Sequence, residues 1–78
     1  MRLQPPKDWP HESMTEDMFD EYILAHVVII DSGAVPLLYF YNSLLMDTND
    51  RFGAAMEIAE MFPISHQLEF LKSWNRIT

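Results

Sequence analysis

The chain has 78 residues, a formal net charge of −7 and no cysteine. Disulfide bridges, Cys-based zinc sites and thiol nucleophiles are therefore excluded, and a chain of this length can build only a small core. Twelve acidic residues against five basic ones argue against direct binding to nucleic acid, because Lys and Arg are needed to neutralise phosphates. Small domains without such covalent or metal links often gain stability by association.

The N-terminal segment predicts an extended arm. The first six residues, MRLQPP, lack the apolar stretch of a secretory signal, so a cytoplasmic location is expected. Three prolines in the first ten residues fix φ and remove backbone donors, which predicts that residues 1–12 are extended. Trp9 lies in this arm and is expected to pack on the rest of the chain. Residues 13–78 are expected to form one helical domain.

A first helix is predicted to begin at Ser13 or Thr15, because Ser13-Met14-Thr15-Glu16 fits a capping box. Its first half is amphipathic, with apolar and aromatic residues on one side and four acids on the other. Beyond Leu24 the sequence is almost uniformly apolar, and Gly33 is the predicted end of this helix.

The next segment allows two interpretations. Residues 35–46 are predicted to form a second helix, with Pro36 in its first turn. The alternative is a β-hairpin in which 27–30 and 37–41 are strands and Asp31-Ser32-Gly33 is the turn, because short runs rich in β-branched and aromatic residues show no clear period. The helix is favoured, since a lone hairpin would leave its edges uncovered.

Two more helices complete the predicted fold. The third spans about 50–62, ends at Pro63, and places these residues on one stripe: Phe52, Ala55, Met56, Ala59 and Phe62. Ser65 is predicted to cap the fourth, whose common face holds Leu68, Leu71 and Trp74. The predicted fold is all-α, a compact bundle of three to four short helices with an extended Pro-rich N-terminal arm. The alternative is α+β with a hairpin at residues 27–41.

Patterns for metal binding are incomplete. His11-Glu12 opens an H-E-x-x-H motif, but Thr15 stands where the second His is required. The segment 47–50 matches the start of an EF-hand loop, yet Gly53 comes one position late and Ile58 replaces the bidentate Glu. No metal or cofactor is therefore expected.

Patterns for catalysis are also missing. The acids at positions 16 and 20, and at 17 and 21, are i,i+4 neighbours on one helix face, where they repel each other instead of acting as an acid and base pair. His26 lies among apolar residues, a setting more typical of a core or interface histidine than of a catalytic base. We expect that the protein is not an enzyme.

The distribution of acids predicts a partner-binding face. Between Lys7 and Arg51 there are nine acids and no Lys or Arg, so this half of the chain carries a negative field that attracts basic partners. The residues expected to contact a protein partner with a basic surface are Glu12, Glu16, Asp17, Asp20 and Glu21.

The apolar middle of the chain predicts self-association, most simply as a homodimer. From Tyr22 to Met46, 18 of 25 residues are apolar or aromatic and Asp31 is the only charge. Turn residues divide this stretch, so it is too short for a membrane span and no membrane contact is expected. A small domain cannot shield all of it. The residues expected at the self-association interface are Val28, Ile29, Leu37, Leu38, Tyr41 and Leu45.

These features together predict a small, acidic, non-enzymatic protein–protein interaction protein, acting as an inhibitor, adaptor or assembly chaperone. The alternative is a nucleic-acid mimic in which carboxylates stand in for phosphates and block a host DNA- or RNA-binding enzyme. Compact, acidic and Cys-free chains of this size are common among phage accessory proteins.

Overall fold

A computed structural model of the chain describes residues 2–6, 9 and 13–78. Within these residues, four helices accompany a three-stranded antiparallel sheet. In chain order the elements are β1 (Arg2–Gln4), α1 (Glu16–Leu24), β2 (Val27–Ile30), β3 (Gly33–Pro36), α2 (Leu37–Thr48), α3 (Arg51–Ala59) and α4 (Ile64–Ile77). Helices are present in all four predicted regions, so the all-α prediction is supported in part. The small sheet is consistent with the α+β alternative, although β1 was not predicted.

Helix α1 begins where a capping residue was predicted. Thr15 is the N-cap, and its Oγ1 accepts a hydrogen bond from the backbone N–H of Met18 at 3.2 Å. The prediction that this helix continues toward Gly33 is wrong, because it ends at Leu24. The residues that follow are β-branched, and such residues favour a pleated strand when neighbouring strands cover them.

His26 terminates α1 with its side chain. Its Nδ1 donates to the carbonyl oxygens of Tyr22 and Ile23, at 3.0 and 3.2 Å. These carbonyls lie in the last turn of the helix, where they also accept from the backbone N–H groups of Ala25 and His26, each at 3.2 Å. The backbone carbonyl of His26 then accepts from the N–H of Leu37 at 3.1 Å, so one residue links α1, β2 and α2.

The hairpin of β2 and β3 is shorter than the alternative prediction. Ile30 pairs with Gly33 across a two-residue turn, Asp31-Ser32, and Gly33 adopts φ of +134°, which residues with a Cβ rarely adopt. The second strand ends at Pro36, so a strand at residues 37–41 is wrong and the predicted helix is confirmed there. Pro36 is the N-cap of this helix and not, as predicted, a residue of its first turn. Proline suits this boundary because its φ is fixed at a value that both a strand end and a helix start allow.

Strand β1 pairs with β2 and extends the hairpin to a three-stranded sheet. Leu3 lies opposite Val28, which in turn lies opposite Val35, so these three side chains share the face that packs on the helices. Val28 is fully buried, whereas its neighbours Val27 and Ile29 point to the other face and are half-buried. The start of the arm is therefore extended, as predicted, and is also paired.

The buried positions of α3 differ from the predicted stripe. The helix ends at Ala59 and buries Ala54 and Ile58, whereas Phe52 is 74% exposed. Of the predicted stripe, Ala59 and Phe62 are buried and only Phe52 is exposed, so the stripe is confirmed at its C-terminal end and wrong at Phe52. The small Ala side chains allow a close approach of the neighbouring helices.

Helix α4 begins one residue earlier than its predicted cap. Its N-cap is Pro63 and not Ser65, and it buries Phe70, Ser73 and Trp74. Leu68, which was expected on the buried face, is 62% exposed. The helix contacts both α1 and α3, and the predicted common face is confirmed at buried Trp74 and wrong at Leu68.

A continuous row of aromatic rings runs through the core. Tyr41 on α2 meets Trp74 with ring centroids 5.1 Å apart, Trp74 stacks on Phe70 at 5.4 Å, and Phe70 stacks on Phe62 at 4.6 Å. Phe62 then meets Trp9 of the arm at 6.1 Å. The predicted packing of Trp9 on the body of the protein is confirmed, and aromatic pairs of this geometry stabilise beyond their burial.

Candidate protein-binding surfaces

The acids of α1 do not form one uniform face. Asp20 is turned toward α4, where its Oδ1 accepts from the Ser73 hydroxyl at 2.6 Å and from Arg76 Nη2 at 2.8 Å. Its Oδ2 accepts from Arg76 Nε at 3.2 Å. Hydrogen bonding by Arg76 is the main cause that lowers the pKa of Asp20, against the smaller opposing effect of burial. Asp20 therefore joins two helices, and its charge is already matched within the chain.

The remaining predicted acids of α1 are exposed. Glu16, Asp17 and Glu21 all lie on the solvent side of the helix, while Glu12 falls outside the described residues. In the described part of the chain, no cation lies within ion-pair distance of Asp17 or Glu21. These two carboxylates are one turn apart on the same side of α1, so together they form an uncompensated negative edge.

A groove of about 410 Å³ lies along this edge. Its described lining residues are Pro6, Met14, Met18, Glu21, Tyr22 and Ala25. Met18 is half exposed, and methionine side chains adapt to differently shaped partners because they are unbranched and polarisable. The structure thus places an apolar groove directly beside the negative edge, a combination that the sequence pattern did not reveal.

The six residues predicted for self-association have different environments. Val28, Leu37 and Tyr41 belong to the core of the single chain, where they pack between the sheet and the helices. Ile29 and Leu45 are half-buried, and Leu38 is 40% exposed. The apolar run shows no period, so its sequence does not separate the buried positions from the exposed ones. They stabilise the monomer and offer no surface to another chain.

A further set of exposed apolar residues lies on α3 and α4. Phe52, Ile64 and Leu68 are 74%, 87% and 62% exposed, and sequence reasoning assigned none of them to an interface. A signal was present in α4, because Ile64, Leu68 and Leu71 follow i, i+4, i+7 spacing beside the separate buried stripe of Phe70 and Trp74. A helix with two apolar stripes has one stripe more than a single core requires.

A smaller cleft of about 290 Å³ lies under the arm. Trp9 and His66 form one wall with their rings stacked at a centroid distance of 3.8 Å, and His26 lies at its base. Burial lowers the pKa of His26, and because Nδ1 donates to carbonyls, the neutral ring carries its lone pair on Nε2. No three His, Asp or Glu side chains of the described segments converge as a metal site requires.

None of the helices in the described part of the chain combines the length and the apolar character that crossing a membrane requires. Comparisons of the chain with protein-family models, with curated proteins and with solved structures find no match.

Proposed function

We propose that this protein binds a basic, amphipathic segment of another protein along the outer side of α1. The observation that carries this proposal is the groove lined by methionines beside the carboxylates of Asp17 and Glu21. A helix with Lys or Arg along one edge and apolar residues along its face matches both parts of that surface. We call this surface the α1 face and define it by Met14, Asp17, Met18, Glu21, Leu24 and Ala25.

The helical spacing of the α1 face supports this assignment. Asp17, Glu21 and Leu24 follow i, i+4, i+7 spacing and form the strip that points most directly to solvent. Met18 and Ala25 lie beside this strip, on the side of the groove. A bound segment would therefore bury apolar atoms against the methionines while its cations reach the carboxylates without leaving water entirely.

The two parts of the α1 face contribute differently to binding. Exposed charges steer encounters and select partners by sign, but each adds little to affinity because solvent screens it. Burial of apolar surface supplies most of the affinity. Binding of this type is that of an inhibitor, adaptor or assembly chaperone and needs no chemical step. Nucleic-acid mimicry, in which the acids of this half of the chain would stand in for phosphates, has less support, since Asp20 is engaged by Arg76 and Ser73.

The charge requirement is tested with a fluorescein-labelled peptide of about 18 residues, five helical turns, built from Leu and Lys in an amphipathic pattern. Anisotropy is measured against the wild type and the double variant Asp17→Lys, Glu21→Lys. We expect about tenfold weaker binding by this variant, since repulsion replaces attraction at two sites. The matched control is Asp31→Lys with Asp47→Lys, which changes the charge equally at exposed positions off α1.

Two outcomes would contradict the proposal. If the control pair weakens binding as much as the α1 pair, only the net charge matters and no site exists on α1. If a scrambled peptide of the same composition binds equally well, the groove does not recognise an amphipathic helix.

The apolar part of the α1 face is tested separately by Met18→Ser, which is expected to weaken binding of the peptide. The control is Met46→Ser, at an 86% exposed methionine on α2.

A further inference from the structure

The exposed apolar residues of α3 and α4 form one surface. Ile64 and Leu68 are one turn apart on α4, half-buried Leu71 continues the same stripe, and Phe52 lies on the adjoining side of α3. From their exposed fractions, Phe52, Ile64 and Leu68 leave roughly 400 Å² of apolar surface uncovered, a size at which patches on small proteins usually mark an interaction site. We call this surface the α3–α4 face.

A groove lies within the α3–α4 face. Its volume is about 410 Å³, and its described lining residues are Tyr41, Arg51, Phe52, Ala55, Leu71, Trp74, Asn75 and Thr78. Trp74 Nε1 is buried there with no hydrogen-bond acceptor among the described residues.

We propose that the α3–α4 face is a homodimer interface in which two copies of this chain meet about a two-fold axis. The surface is self-complementary, because a protruding phenyl ring, Phe52, stands at the edge of a groove large enough to receive another. A two-fold axis beside Phe52 places each ring in the groove of the other copy, which is how one patch can serve both sides of an isologous interface.

The area of the α3–α4 face and the charges around it are consistent with a second copy of the chain as its partner. The apolar patches of two copies would together bury roughly 800 Å², and their polar rims would bring the total toward the roughly 1,200 Å² of a small stable interface. The chain carries a net charge of −7, yet Arg51 lies on the rim of the groove. A cation at that position reduces the repulsion between two acidic chains where they approach most closely.

This interface leaves the α1 face free. Ser73, which binds Asp20 of α1, lies roughly 140° around α4 from Leu68. The dimer would therefore present two acidic α1 faces on its outer sides and could hold two basic segments at once, with the gain in avidity that two linked sites give. The dimer itself does not depend on what α1 binds.

The first test is sedimentation equilibrium of the full chain from about 1 to about 100 µM, with Phe52→Glu as the disrupting variant. We expect a wild-type dimer and a monomeric variant whose helical circular dichroism is unchanged, because Phe52 is mostly exposed. Leu38→Glu is the matched control on α2 and should remain dimeric. A dimer that is lost in Leu38→Glu but retained in Phe52→Glu would place the interface on the apolar middle segment and overturn the proposal.

Cross-linking separates a two-fold interface from a head-to-tail one. Because the chain contains no Cys, a single Asn75→Cys at the rim of the groove can form a disulfide only with the same residue of another copy. Under mild oxidation we expect a covalent dimer from Asn75→Cys and little from the control Asp31→Cys at the hairpin turn. A wild type that is monomeric throughout, or equal cross-linking at both positions, would contradict the proposal.

Discussion

Replacing Asp20 by Ala is expected to destabilise the fold by about 2 kcal/mol, because the buried Ser73 hydroxyl would lose a short, charge-assisted hydrogen bond. Ser73 is fully buried and donates to Asp20 Oδ1 at 2.6 Å. The ion pair with Arg76 is partly exposed, so solvent screens it and its loss adds little. Most of the cost therefore comes from the hydroxyl and not from the salt bridge.

Three single variants separate the contribution of the Ser73 hydrogen bond from that of the ion pair with Arg76. The free energy of unfolding is measured by urea titration with circular dichroism, and a loss of about 2 kcal/mol lowers the melting temperature of a domain this small by roughly 8–16 °C. Ser73→Ala removes the donor together with its need for an acceptor, so it should cost less than Asp20→Ala. Arg76→Ala should have the smallest effect. If Arg76→Ala proves as damaging as Asp20→Ala, the ion pair dominates and the reasoning is wrong.

The pH dependence gives a second check on the same contact. The folded-state pKa of Asp20 lies below its ordinary value of 3.8, so its contribution is fully present above that value. The contribution is lost as the pH falls through the lower, folded-state pKa. The difference in stability between the wild type and Asp20→Ala should therefore be constant near neutral pH and shrink below about pH 4. A difference that shrinks already between about pH 7 and pH 5 would point to a histidine instead.

Two further substitutions test residues that lie on either side of β2. Because burial lowers the folded-state pKa of His26 below its ordinary value of 6.5, the unfolded chain binds the extra proton first, and stability should fall as the pH drops below 6.5. His26→Gln should weaken that dependence in urea titrations at about pH 7.5 and pH 5, and an unchanged slope would exclude His26 as its source. Gly33→Ala should cost about 1–2 kcal/mol, because φ is +134° there although space around it is open. Ser32→Ala, its exposed neighbour, should leave the urea midpoint unchanged, and equal losses would contradict a backbone cause.

Local chemistry explains which elements the sequence predicted well. The Thr15 cap, which was one of two candidates, the helix boundary at Pro36 and the turn of the alternative interpretation at Asp31-Ser32-Gly33 each depend on a few adjacent residues. Their preferred backbone angles and hydrogen bonds act at short range. The same holds for the acidity of α1, since charge is a property of composition. These features needed no knowledge of distant contacts.

The remaining features depend on residues far apart in the chain. As a strand, the segment 27–30 pairs on one edge with the adjacent β3 and on the other with β1, which is more than twenty positions away in sequence. The role of Asp20 depends on Ser73 and Arg76, which are 53 and 56 positions away. The local sequence pattern does not indicate which distant residues will be partners. A uniformly apolar run also has no period that would show which side is buried.

The sequence by itself determined that this is an acidic, Cys-free chain with more apolar surface than a small core can cover. Only the tertiary structure decided where that surplus lies, by burying Leu37 and Tyr41 and leaving Phe52, Ile64 and Leu68 outside. The physical reason is that burial is a property of how helices pack on each other and on the sheet, and each helix can turn only one side to the shared core.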